Sequence, residues 1–109
     1  MNVRRSDTFI SDIEGQVEWY AVHADWNIAE RYLVAVEETC RLLEQHPKLG
    51  CIGRFVHPKL KRWRFFVISR PFSKHIIFYE LEKDELILRR VMHGHRDLPN
   101  RLLEPPTTQ

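Results

Sequence analysis

Apolar positions in the first half of the chain recur at helical spacing. Over residues 7–22, Phe9, Ile10, Ile13, Val17 and Tyr20 fall mostly three and four apart, with Asp12, Glu14 and Glu18 between them. That pattern predicts one amphipathic helix with an acidic outer face. Ser6 or Asp7 can cap its start, and Gly15 weakens its middle by about 1 kcal/mol relative to alanine. "HADWNIAE" interrupts the pattern. Asp25 is a natural N-cap for a second helix, and Asn27 with Glu30 spells a competing capping box. In that helix Ala29, Tyr32, Leu33, Val36, Cys40 and Leu43 form the apolar stripe, while Glu30, Arg31, Glu37, Glu38, Arg41 and Glu44 lie outside it. "EQHPKLG" ends it, because Pro47 disfavours helix at His46 and Gly50 closes the turn. Two stripes joined by a short break predict a helical hairpin.

After Gly50 the period shortens. "RWRFFVIS" is aromatic and β-branched, as strands are. Alternation puts Trp63, Phe65 and Val67 on one side and Arg64, Phe66 and Ile68 on the other. "HIIFYEL" is apolar on both faces and reads as a central strand. "EKDE" is a polar hairpin turn. "LILRRVMH" makes the third strand, with Leu86, Leu88, Arg90 and Met92 on one face and Ile87, Arg89, Val91 and His93 on the other. Asp97 can cap a short last helix, "LPNRLL", with Pro99 in its first turn, and "NVRR" can form a short edge strand. The order β-α-α-β-β-β-α predicts an α+β domain: an N-terminal helical hairpin on an antiparallel sheet of three to four strands, with a short C-terminal helix. We expect one domain over residues 1–104 and a frayed tail over 105–109. The sheet face away from the hairpin would be left apolar and uncovered, which points to a partner or a homodimer.

Composition adds limits. The length fits one modest core, and no apolar run approaches the roughly 20 residues of a membrane span. "MNVRRSDTF" has basic residues but no following apolar stretch with a cleavage site, so a cytoplasmic protein is expected. Cys40 and Cys51 make no CxxC and suggest no disulfide framework. The net charge of +2 hides a segregation. Asp7 to Glu44 carries nine acids against Arg31 and Arg41, whereas Gln45 to Tyr79 has no acid and eight Lys or Arg. An acid-free run of that length suits an anionic partner, either nucleic acid or an acidic protein segment.

Three motifs now stand in order: "AERYLVAVEETCRLLEQHPKLG", "HIIFYEL" and "LRRVMHGHRDLP". Together they resemble the RelE/ParE toxins of bacterial type II toxin–antitoxin systems. The His-Gly-x-Arg-Asp ending resembles the ParE branch, although His95 stands where a small residue is common. The resemblance implies a helical hairpin against an antiparallel sheet, and neutralisation by a cognate antitoxin that lays an extended and helical segment over the toxin. It implies a plasmid-stabilisation role with growth arrest through DNA gyrase if ParE-like, or mRNA cleavage on the ribosome if RelE-like. No cofactor is expected.

The candidate chemistry follows from those alternatives. His93 and His95 could begin a metal site, but such a site wants three or four ligands and Asp97 is already explained as a cap, so no metal is expected. Metal-free RNA cleavage needs an acid, a base and positive charge on the phosphate. His93 or His95, with Arg64, Arg90 and Arg96, could supply them, and Tyr79 could stack a base. For a toxin that acts by binding, Arg54, Lys59, Lys61, Arg62, Arg64, Arg70, Lys74 and Arg96 are the candidate partner contacts. A non-toxic interaction module keeping only the fold is the third expectation.

Overall fold

The structure is a computed structural model that describes residues 1–53, 55–94 and 102–103. It begins with a short strand, β1 (Asn2–Arg5), that runs directly into helix α1 (Asp7–His23). Ser6 is the N-cap, and its hydroxyl accepts the Phe9 N–H at 3.1 Å. Asp25 caps helix α2 (Trp26–Gln45) by accepting the Ile28 N–H at 2.9 Å, which settles the two capping options of the sequence. The buried stripe of α2 holds Ala29, Tyr32, Val36, Cys40 and Leu43 as its spacing predicts, and adds Ala35 and Thr39; Leu33 is only half-buried. Thr39 is tolerated inside because its hydroxyl donates to the Ala35 carbonyl at 2.8 Å.

Four further strands follow: β2 (Cys51–Ile52), β3 (Arg64–Val67), β4 (His75–Glu82) and β5 (Glu85–His93). Among the described residues the sheet has five strands in the order β1-β5-β4-β3-β2, with β4 central as its two apolar faces require. It is mixed rather than antiparallel, because β1 pairs with β5 in parallel. The chain leaves β1 through the hairpin, enters the sheet at the opposite edge, and returns by a meander to lie beside its own first strand. Lys83 takes φ 44° in the β4–β5 turn.

Two expectations are corrected. Alternation does not run unbroken through β5: Phe78 faces Arg90 while Tyr79 faces Leu88, so Arg89 is the extra residue of a β-bulge. Beyond the bulge the faces swap. Leu86, Leu88 and Val91 pack under the hairpin, whereas Arg90 and Met92 fall on the other face with Phe78. That other face is not bare either. Leu60, from a short 3-10 helix (Pro58–Leu60), Trp63 and Leu102 cover Phe78 and Met92 in a second core, with Phe65 packed at its margin. Leu102 and Leu103 are helical, as the "LPNRLL" reading expects; its Asp97 cap, its Pro99 and the tail over 105–109 lie outside the described residues. Among the described residues no helix is long and apolar enough to cross a membrane.

Candidate functional site

The end of β5 faces the start of β4, which pairs His93 with His75. Their rings meet edge to face, with centroids 5.2 Å apart. His75 is buried among Tyr20, Tyr32 and Phe72, and its Nε2 shares a 2.8 Å hydrogen bond with the Tyr20 hydroxyl. Burial, helped by the neighbouring His93, lowers the His75 pKa to about 4, so this imidazole stays neutral. His93 is exposed at the strand end. Gly94 has no positive φ, and a Cβ there would make only ordinary contact with the Lys74 carbonyl at 3.4 Å; neither observation explains a glycine. His95, Arg96 and Asp97 lie outside the described residues. Among the described residues no group of three His, Cys, Asp or Glu could hold a metal. His75 was missed in the sequence because it reads as the first apolar-run residue of β4. Counting the hairpin register back from "EKDE" would have placed it near His93.

The candidate arginines are separated. Arg64 lies on the hairpin side of β3, opposite Tyr79, and its Nη1 donates to the Gly50 carbonyl at 2.8 Å. Tyr79 completes that latch: its hydroxyl accepts from Gly50 N–H at 2.9 Å and donates to the Pro47 carbonyl at 2.7 Å. Tyr79 is fully buried, so the expectation that it stacks a base is wrong. Arg90 projects from the opposite face. Its Nε and Nη2 make a two-pronged pair with Asp12 at 2.8 and 3.0 Å, and its Nη1 donates to the Leu102 carbonyl at 3.1 Å. Both side chains of the Asp12–Arg90 pair are nearly inaccessible. The fold therefore does not gather Arg64, Arg90 and His93 around one reacting group.

Against this background, the sequence matches the family described as the ParE toxin of type II toxin–antitoxin system, parDE, over residues 3–98. The chain belongs to the ParE toxin family. The fold agrees: a solved chain from "Chromosomal ParDE TA system from P. aeruginosa" superposes with a TM-score of 0.71 at 15% identity, over 87% of this chain and 97% of that one. At that identity the likeness speaks for the fold alone. No curated protein matches the sequence.

On this ParE-type frame the basic residues of the middle segment are dispersed. Arg62 lies beside Glu82, Lys83 and Glu85 at the β4–β5 turn. Lys74 adjoins Gly94 at the other end of β4. Lys59 borders a cleft with Trp63, Arg89 and Arg90 near the start of α1. Arg70 faces α2, in a hollow shared with Glu30 and Glu38. Lys61 is exposed, and Arg54 lies outside the described residues.

Proposed function

We propose that this ParE-family chain is the toxin of a type II toxin–antitoxin pair, held inactive in the cytoplasm by a cognate antitoxin. Released from it, the toxin arrests growth by binding DNA gyrase rather than by chemistry of its own. The observation that favours binding over RNA cleavage is the placement of Arg64 and Arg90. A nuclease must aim its cations at one scissile phosphate. Here they stand on opposite sheet faces, one holding a turn and the other spent on Asp12 and Leu102. Exposed Lys59, Lys61, Arg62, Arg70 and Lys74 remain as partner contacts.

Induced expression in bacteria, with and without the adjoining reading frame, tests the pair. Growth should stop without the neighbour and resume with it. Purified chain should also inhibit supercoiling by gyrase, and arrested cells should show a DNA-damage response. New 5′ ends in translated messages, without a gyrase effect, would replace this reading with the endonuclease; harmless expression would leave only an interaction module.

A further inference from the structure

His75 and His93 stand directly opposite each other where β4 begins and β5 ends. The backbone groups of His75 are turned away from β5, its N–H to the Phe72 carbonyl and its C=O to the Ile68 N–H, while Gly94 N–H donates to the Lys74 carbonyl. That pattern makes His75 and His93 a non-hydrogen-bonded pair, the kind in which facing side chains lie closest. Residues directly opposite share a face, so both imidazoles project on the hairpin side, where Tyr20 and Tyr32 meet the His75 ring. The sequence sets His93 beside His95, along one strand; the fold gives it a different neighbour, across the ladder.

The four ring nitrogens divide into two that are engaged and two that are not. His93 Nδ1 lies 3.2 Å from the Gly94 carbonyl, which only accepts, so Nδ1 carries the proton and Nε2 keeps its lone pair. His75 Nε2 is bonded to the Tyr20 hydroxyl, and its Nδ1 is buried with no partner among the described residues. A buried N–H without an acceptor is rare, so the proton sits on Nε2 and Nδ1 is also a bare lone pair. Each ring thus has one nitrogen held as a donor and the other open, which is how outer partners orient ligating histidines. The spacing suits one shared ion. Metal–nitrogen bonds of about 2.0–2.1 Å meeting at a tetrahedral angle set two imidazole centroids roughly 5 Å apart. Here they are 5.2 Å apart, with the ring planes at 89°. His93 is exposed, so its ring can turn to bring Nε2 to the ion.

We propose that His75 and His93 together bind one divalent transition-metal ion of the zinc class, with water in its remaining positions. Imidazole nitrogen suits such ions, whereas magnesium and calcium take oxygen ligands. No third His, Cys, Asp or Glu among the described residues joins the pair, so the site is open and exchangeable rather than a closed structural one. Bound there, the ion ties the end of β5 to the start of β4 and stabilises the fold by mass action. Tyr20 is a positioning residue, because its hydroxyl holds the His75 ring. The site needs neither antitoxin nor gyrase and stands apart from the reading above.

The test titrates the full chain, free of any polyhistidine tag, with zinc chloride and separately with magnesium chloride. Calorimetry should show one zinc per chain, and Tm should climb with zinc but not with magnesium. In NMR spectra the ring signals of His75 and His93 should shift together up to one equivalent. His93→Asn changes an exposed ring, keeps the fold, and should weaken zinc binding by about tenfold or more; Tyr20→Phe should weaken it by roughly tenfold. His23→Asn and His46→Asn, both at exposed positions, should bind as the wild type does. No saturable zinc binding overturns the proposal, as does wild-type affinity in His93→Asn or loss of binding in His23→Asn or His46→Asn. Wild-type affinity in Tyr20→Phe overturns the positioning role.

Discussion

A single histidine links the sheet to stability through pH. The His75 ring is enclosed by aromatic neighbours, its Nδ1 has no hydrogen-bond partner among the described residues, and burial followed by the adjacent His93 pulls its pKa from 6.5 to about 4. The unfolded chain therefore binds this proton more readily than the folded one. The stability that a neutral His75 contributes is complete above pH 6.5 and drains away as pH falls from there towards 4. The shift corresponds to roughly 3 kcal/mol. Urea melts of wild type and His75→Phe across that window should show a shallower pH slope for the variant, since the carboxylates that also titrate there are common to both. Parallel slopes would mean that His75 is not held neutral by the fold. Tyr20 would lose its partner in the variant, which lowers its stability at every pH without changing the slope.

At the scale of elements, α1 finishes the sheet that β1 leaves incomplete. β1 covers β5 only as far as Leu88. Beyond it the groups of α1 take over: Ser6 N–H donates to the Leu88 carbonyl, the Ser6 hydroxyl to the Arg89 carbonyl, and Asp12 accepts the Val91 N–H at 3.1 Å. The bulge at Arg89 is what turns Arg90 to the face where it can meet both Asp12 and Leu102. Removing one member breaks a buried, two-pronged ion pair, so Arg90→Met or Asp12→Leu should each cost about 3–5 kcal/mol in urea unfolding. The double variant should recover part of that loss, less the unpaired Val91 N–H. Additive losses in the cycle would show that the pair is not coupled. Legibility divides along the same line. Both helices could be read because caps and stripes are local: Ser6, Asp25 and the Ala29–Leu43 periodicity sit within a few residues of what they control. The bulge and the parallel β1 could not: alternation gives no signal of one inserted residue, and β1 takes its register from a strand at the far end of the chain. Of the candidate site, the positions of Arg64, Arg90 and His93 on strands were legible, but not the faces they share; Arg90 changed face through one inserted residue.

On the scale of the whole molecule, the sheet is sandwiched between two unequal cores. The larger lies under the hairpin; the smaller holds Leu60, Trp63, Phe78, Met92 and Leu102. Among the described residues the acidic Asp7–Glu44 stretch reaches outside itself through two ion pairs, Arg5 with Glu37 and Arg90 with Asp12, while the middle cations spread around the periphery. The smaller core is assembled from three separate stretches, so it is the part most dependent on long-range closure. Leu102 is its outermost member in sequence and is only 3% exposed. Leu102→Ala keeps the carbonyl that receives Arg90 and removes only the side chain, which isolates the packing contribution. Deleting a buried leucine side chain costs about 2–5 kcal/mol when the cavity cannot collapse. The variant should unfold at correspondingly lower urea and bind a hydrophobic dye more strongly, because Phe78 and Met92 lose their cover. If melting and dye binding match the wild type, the face away from the hairpin is open in solution. The apolar surface would then again require a partner, as the sequence alone suggests.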